Sequence, residues 1–112
     1  MALFRRKREQ SEAVPEPDDS QLARMMASRI PVFLSKLHGE HPPRWVTVYP
    51  DRLESVTGLE SPEYMDDAAN HEVWSVDHFV SDFPFVSRFL NEVRPGQTAL
   101  FEDTSGAYTL ED

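Results

Sequence analysis

Apolar residues recur at helical intervals through the first part of the chain. Leu22, Met26, Ile30, Phe33 and Leu37 fall four, four, three and four residues apart, which places them on one face of a helix beginning near Gln21. Asp18, Asp19 or Ser20 can cap its start. Pro31 lies inside this run. Proline removes a backbone donor and clashes with the preceding turn, so the pattern predicts a kink or a break into two short helices. His38-Gly39 stops the segment, and Glu40-His41-Pro42-Pro43 reads as an extended linker. Met25 and Met26 read as core filler.

The period then changes. Arg44–Tyr49 alternates as a strand, with Trp45, Thr47 and Tyr49 on one side and Val46 and Val48 on the other. Pro50-Asp51 forms a turn, and residues 52–60 fit a strand or a helical turn equally well before Gly58 ends them. Ser61 can cap a helical turn that opens with Pro62, within a polar loop reaching Asn70. Glu72–Val76 reads as a short buried strand, followed by a helical turn capped by Asp77. A second helix restarts at Asp82-Phe83-Pro84 and carries Val86, Phe89, Leu90 and Val93 on one face until Arg94-Pro95-Gly96. Residues 98–102 and 107–111 form a hairpin around Asp103-Thr104-Ser105-Gly106, a favoured turn composition. The order predicts an α+β fold: a small, mostly antiparallel sheet packed with two or three helices, in one domain over residues 20–112. Residues 1–19, with two prolines among acids and little to bury, read as a disordered tail.

Charge sharpens this picture. The chain has 112 residues and a formal net charge of −9, but the excess is uneven. Residues 1–19 hold four basic and five acidic side chains, whereas residues 51–112 hold three arginines and fourteen acids, a formal −11. Such a balance argues against a nucleic-acid partner, which needs basic patches facing phosphate. It suits a basic protein partner, and it equally suits a solvated acidic face. There is no cysteine, hence no disulfide, thiolate metal site or cysteine nucleophile. No apolar run approaches the ~20 residues of a membrane span. The opening Met1–Arg8 has no apolar stretch after its cations, and Ala2 replaces the glycine that myristoylation requires. Leu3 and Phe4 beside Arg5, Arg6, Lys7 and Arg8 leave room for weak contact with an anionic membrane through residues 1–8. A cytoplasmic protein is the expectation.

Candidate chemistry is sparse. Tyr64-Met65-Asp66-Asp67 shares its letters with the metal-binding hairpin of reverse transcriptases, but the flanks are neither apolar nor strand-like, and one small domain cannot hold a polymerase. Asp66, Asp67 and His71 could face a metal if a helix ran through Asn70, which makes a metal-dependent enzyme an alternative reading. His38, His41 and His78 have no ligand or triad partner at a recognisable spacing, and no nucleophile elbow, phosphate loop or dinucleotide fingerprint occurs. The expectation is therefore no catalytic residue, no cofactor and no metal. Trp45 and Trp74 lie in strands and read as core; Phe79, Phe83, Phe85 and Phe89 are too many for one short region to bury completely, so one or two should surface.

Residues 61–110, about half of the chain, carry a family resemblance. Glu63-Tyr64-Met65-Asp66-Asp67, then Val73-Trp74-Ser75-Val76-Asp77-His78-Phe79, then Leu90 and Thr98-Ala99-Leu100-Phe101-Glu102-Asp103 resemble the bacterial immunity protein 33 family, also described as domain of unknown function 2185. Arg44–Tyr49 and Ser55–Glu60 correspond loosely to the strand and turn that precede that family's loop, while the proline-bearing helix and the basic leader have no counterpart in it. The resemblance implies a non-catalytic protein that binds and neutralises a toxin, and the acidic excess of residues 51–112 makes a basic partner the expectation. On that reading Tyr64, Asp66, Asp67 and Glu72 lie at or near the partner interface. Alternatively, Tyr64 and Met65 plug the core while Asp66 and Asp67 cap local backbone. An accessory domain with a membrane-visiting basic N-terminus is the remaining alternative.

Overall fold

The structure is a computed structural model that describes residues 21–111. The tail over 1–19, the caps expected at Asp18, Asp19 or Ser20, and the membrane contact of residues 1–8 lie outside the described residues. Helix α1 (Gln21–Ala27) is followed by strands β1 (Pro31–Ser35), β2 (Trp45–Tyr49) and β3 (Arg52–Val56), the short helix α2 (Pro62–Asp66), β4 (His71–Ser75), α3 (Val76–Asp82), α4 (Ser87–Glu92), β5 (Thr98–Leu100) and β6 (Thr109–Glu111). The six strands form one sheet in the order β4-β1-β3-β2-β5-β6. Only β1 and β3 run parallel; all other neighbours are antiparallel. The fold is α+β, as the order of periodicities predicts.

The helix expected to run past Pro31 does not. Arg29 takes a left-handed conformation with φ of 57°, and the Ile30 amide returns to the Met25 carbonyl at 3.3 Å, so the chain closes α1 before the proline is reached. Pro31 then starts β1, where its missing donor is tolerated at the head of a strand. Phe33, assigned by its spacing to a helix face, belongs to this strand. The α1 helix is held instead at its first turn: Gln21 Nε2 donates to the Leu90 and Val93 carbonyls at 2.7 and 2.8 Å, and Asn91 Oδ1 accepts from the Leu22 amide at 2.9 Å.

One row of side chains crosses all six strands on the inner face: Glu72, Leu34, Ser55, Val46, Ala99 and Leu110. Beside it run Trp74, Val32, Leu53 and Val48. The central members of these rows are buried against Met25, Val76, Phe79, Val86, Phe89, Leu90, Val93 and Phe101, so α1, α3 and α4 lie on this face and the core sits between sheet and helices. Phe79 and Phe89 are fully buried, while Phe83 and Phe85 are half-buried and continue edge-to-face from Phe79 to Phe101. The surplus of aromatics thus resolves as expected, with two rings partly at the surface.

Three local expectations change. The strand over 71–75 is not buried; it is a sheet edge, and Val73 is 61% exposed. Ser75 rather than Asp77 caps α3, its hydroxyl accepting from the His78 amide at 3.0 Å; a serine in extended conformation offers the cap one residue before the helix begins. Trp74 packs with the core, but Trp45 alternates onto the other side of the sheet. Elsewhere the local chemistry holds: Ser61 caps α2 with Pro62 at its first position, and Asp103 accepts from the Ser105 amide inside the β5–β6 hairpin.

Candidate functional site

The outer face of the sheet carries its own row across six strands: Val73, Phe33, Glu54, Thr47, Thr98 and Glu111. An antiparallel sheet covered on one side ordinarily places polar residues on the other. Within this row the β2–β5–β6 half does so, the Thr47 and Thr98 hydroxyls lying 2.7 Å apart, although Trp45, Tyr49 and Leu100 share the same face. The β4–β1 half does not. Phe33 and Val73 sit directly opposite one another, 41% and 61% exposed.

Helix α2 lies over one end of this face and turns it into a cavity of about 390 Å³ lined by Phe33, Trp45, Thr47, Glu54, Val56, Met65 and His71, among others. Local chemistry fixes that wall. His71 Nε2 donates to the Met65 carbonyl at 2.7 Å, and Asn70 Nδ2 donates to the Tyr64 carbonyl at 3.0 Å, tying α2 to the start of β4. Glu60 anchors the other side of the connection: its carboxylate accepts from the Thr57 and Gly58 amides and from the Ser35 hydroxyl. Desolvation pushes the Glu60 carboxyl up, but these donors outweigh it and hold it below the usual carboxylate range.

The sequence-derived candidates divide between two faces. Tyr64 is half-buried on α2, and Asp66 and Asp67 are exposed beside the cavity wall formed by Met65. Asp67 also caps the following turn, accepting from the Ala69 amide at 2.9 Å. Neither Tyr64 nor Met65 joins the core; Met65 covers the outer face instead. Glu72 points the other way, in the inner row, where its Oε1 accepts from the Trp74 indole at 2.8 Å. The fold therefore brings Tyr64, Asp66 and Asp67 together and separates Glu72 from them. Among the described residues, no group of three or more histidine or carboxylate side chains is placed to hold a metal ion, Asp66, Asp67 and His71 included.

Sequence reasoning missed Phe33, Glu54 and the outer side of Trp45. Glu54 neighbours Phe33 on one side and Thr47 on the other. Its Oε2 accepts from Arg52 Nε at 2.8 Å, and the Arg52 guanidinium lies 4.1 Å from the centre of the Tyr49 ring and also reaches Asp51 at 3.0 Å. Apart from this site, a hollow of about 550 Å³ opens at one end of the sheet between His38, His41, Pro42, Phe83 and Phe85. Its buried imidazole is already committed. His38 Nδ1 donates to the Ser35 carbonyl, which leaves Nε2 to accept from the Ser55 hydroxyl, both at 2.9 Å. No helix among the described residues is long and apolar enough to cross a membrane. Comparison with known proteins finds no matching family model, no matching curated protein and no matching solved structure.

Proposed function

We propose that this chain is a non-catalytic protein-binding domain whose outer sheet face takes a basic partner, in the manner of an immunity protein that neutralises a toxin. The observation that carries the reading is the exposed, directly opposed Phe33–Val73 pair on the side of the sheet opposite the core. Apolar patches of this kind, rimmed by polar groups, mark interaction surfaces. Acidic side chains are at hand: Glu54 lies inside the cavity that Phe33 lines, and Glu63, Asp66 and Asp67 are exposed on and after α2, whose Met65 lines the same cavity. Residues 21–111 hold seven basic and fourteen acidic side chains, so the domain as a whole attracts a cationic surface. In such an interface, charge speeds encounter and selects the partner, while the apolar centre supplies affinity. The resemblance of residues 61–110 to the immunity protein 33 family supports the neutralising role, and the charge supports a basic partner.

The test is affinity capture from the source cells at low salt, using wild type, Phe33→Asp and Asp66→Lys/Asp67→Lys. One basic protein should be retained by wild type and lost with both variants. If the same proteins are recovered with all three, the outer face is not a binding surface.

A further inference from the structure

Resting on that reading, we infer that the outer-face cavity is a receptor for a single arginine side chain of the partner, with Glu54 as the carboxylate that receives it. The volume, about 390 Å³, stands at the lower end of ligand pockets, room for one long side chain with its flanking backbone but not for a folded segment. Its walls suit a long stem: Phe33, Val56, Met65 and Trp45 are apolar or aromatic. Its charged floor suits a guanidinium. Glu54 uses only Oε2 for Arg52, and Oε1 has no hydrogen-bond partner among the described residues.

The same face already shows the chemistry once. Arg52 lies over the Tyr49 ring and donates to Glu54, an arginine recognised jointly by an aromatic ring and a carboxylate. Across Glu54 from that pair, Phe33 and Trp45 line the cavity, Trp45 already carrying the Arg44 guanidinium 5.2 Å from its ring centre, so Phe33 offers the free aromatic surface and Oε1 the carboxylate edge. Arg52 does not cancel the attraction, because Asp51 shares it, leaving the Asp51–Arg52–Glu54 cluster at net −1. Arginine is favoured over lysine because its planar head stacks on rings and forks onto a carboxylate, whereas an ammonium is a compact, strongly hydrated point charge.

The experiment uses the full chain, uniformly labelled with nitrogen-15, and three probes: acetyl-Gly-Arg-Gly-amide and its lysine and citrulline counterparts. Citrulline keeps the shape of arginine without the charge. The arginine peptide should shift the Trp45 indole and the Thr47 and Val56 amides saturably, while the Trp74 indole, on the other face, stays put; Trp74→Phe assigns the two indoles. Citrulline should bind about tenfold more weakly or worse, as should the arginine peptide to Glu54→Gln, since each loses a charge-assisted hydrogen bond. Equal binding of arginine and citrulline, or unchanged binding by Glu54→Gln, overturns the inference. Shifts centred on Asp66 and Asp67 instead of Trp45 overturn it as well. Partner capture keeps the two proposals apart. A partner retained by Glu54→Gln but lost with Phe33→Asp leaves the protein-binding reading standing and removes the arginine receptor.

Discussion

Lowering the pH from about 7.5 to 5 is expected to weaken the fold through His38. This imidazole is 3% exposed, and burial pushes its pKa below the ordinary 6.5, against the smaller upward pull of the Ser35 carbonyl and of Glu60. The folded state thus resists protonation at pH values where the unfolded chain accepts it. The contribution is present in full above pH 6.5 and is lost as the pH falls from there through the folded-state value. One withheld proton is worth at most about 1.4 kcal/mol per pH unit, so the loss between pH 6.5 and 5 has a ceiling of about 2 kcal/mol. The neutral state is also the one the contacts select, since Nδ1–H donates to Ser35 and the bare Nε2 accepts from Ser55. Urea denaturation followed by tryptophan fluorescence at several pH values measures the effect, and His38→Gln supplies the reference. The variant should lose about 1–3 kcal/mol at pH 7.5, where the Ser35 carbonyl loses the Nδ1–H donor. It should also show a flatter profile below pH 6.5 than wild type. Taking the difference between the two proteins cancels the other titrating groups. Parallel profiles would refute the assignment of acid sensitivity to His38.

Two further substitutions probe the sheet. Gly58 has φ of +90°, and a Cβ there would meet the Trp45 ring at 3.0 Å and Arg44 Cδ at 3.1 Å. Gly58→Ala should therefore destabilise by about 1–3 kcal/mol, read as a lower urea midpoint with unchanged slope. The paired change Phe33→Thr/Val73→Thr should cost about 1–2 kcal/mol, most of it from the covered part of Phe33, since Phe33 is 41% and Val73 61% exposed, yet leave the protein folded and abolish partner capture. A large loss of stability there would mean that the outer face is covered within the protein itself.

Local chemistry made most elements legible. Arg44–Tyr49 alternates cleanly, Ser61-Pro62 signals a helix start, and Asp103–Gly106 signals the hairpin turn, because each depends on neighbours in sequence. The reading failed where two periods coexist. Leu22, Met26 and Ile30 fit a helix, and Phe33 and Leu37 extend the same spacing, but Val32 and Leu34 are the buried pair of a strand. Nothing in the apolar spacing reveals that Arg29 closes the helix in a left-handed turn. Asp66 and Asp67 stand out through the contiguous Glu63-Tyr64-Met65-Asp66-Asp67 motif and the acidic excess around it. Glu54 escaped because its place beside Phe33 depends on a parallel register between strands 21 residues apart, and no local pattern encodes that pairing.

The uneven outer face sets two possible occupants against each other. An apolar pair beside an exposed sheet edge invites another copy of the chain, whether face to face or through β4. Like charge opposes that, since each copy brings an excess of seven acids over residues 21–111. A basic partner meets the same apolar pair with attraction in place of repulsion. Raising the salt from about 50 to 500 mM shortens the screening length from about 14 to 4 Å and should move the two associations in opposite directions. Sedimentation should show more self-association at high salt and none for Phe33→Thr/Val73→Thr, while capture of the basic partner should weaken. If self-association and capture instead weaken together, acidic repulsion is not what keeps this face free for another protein.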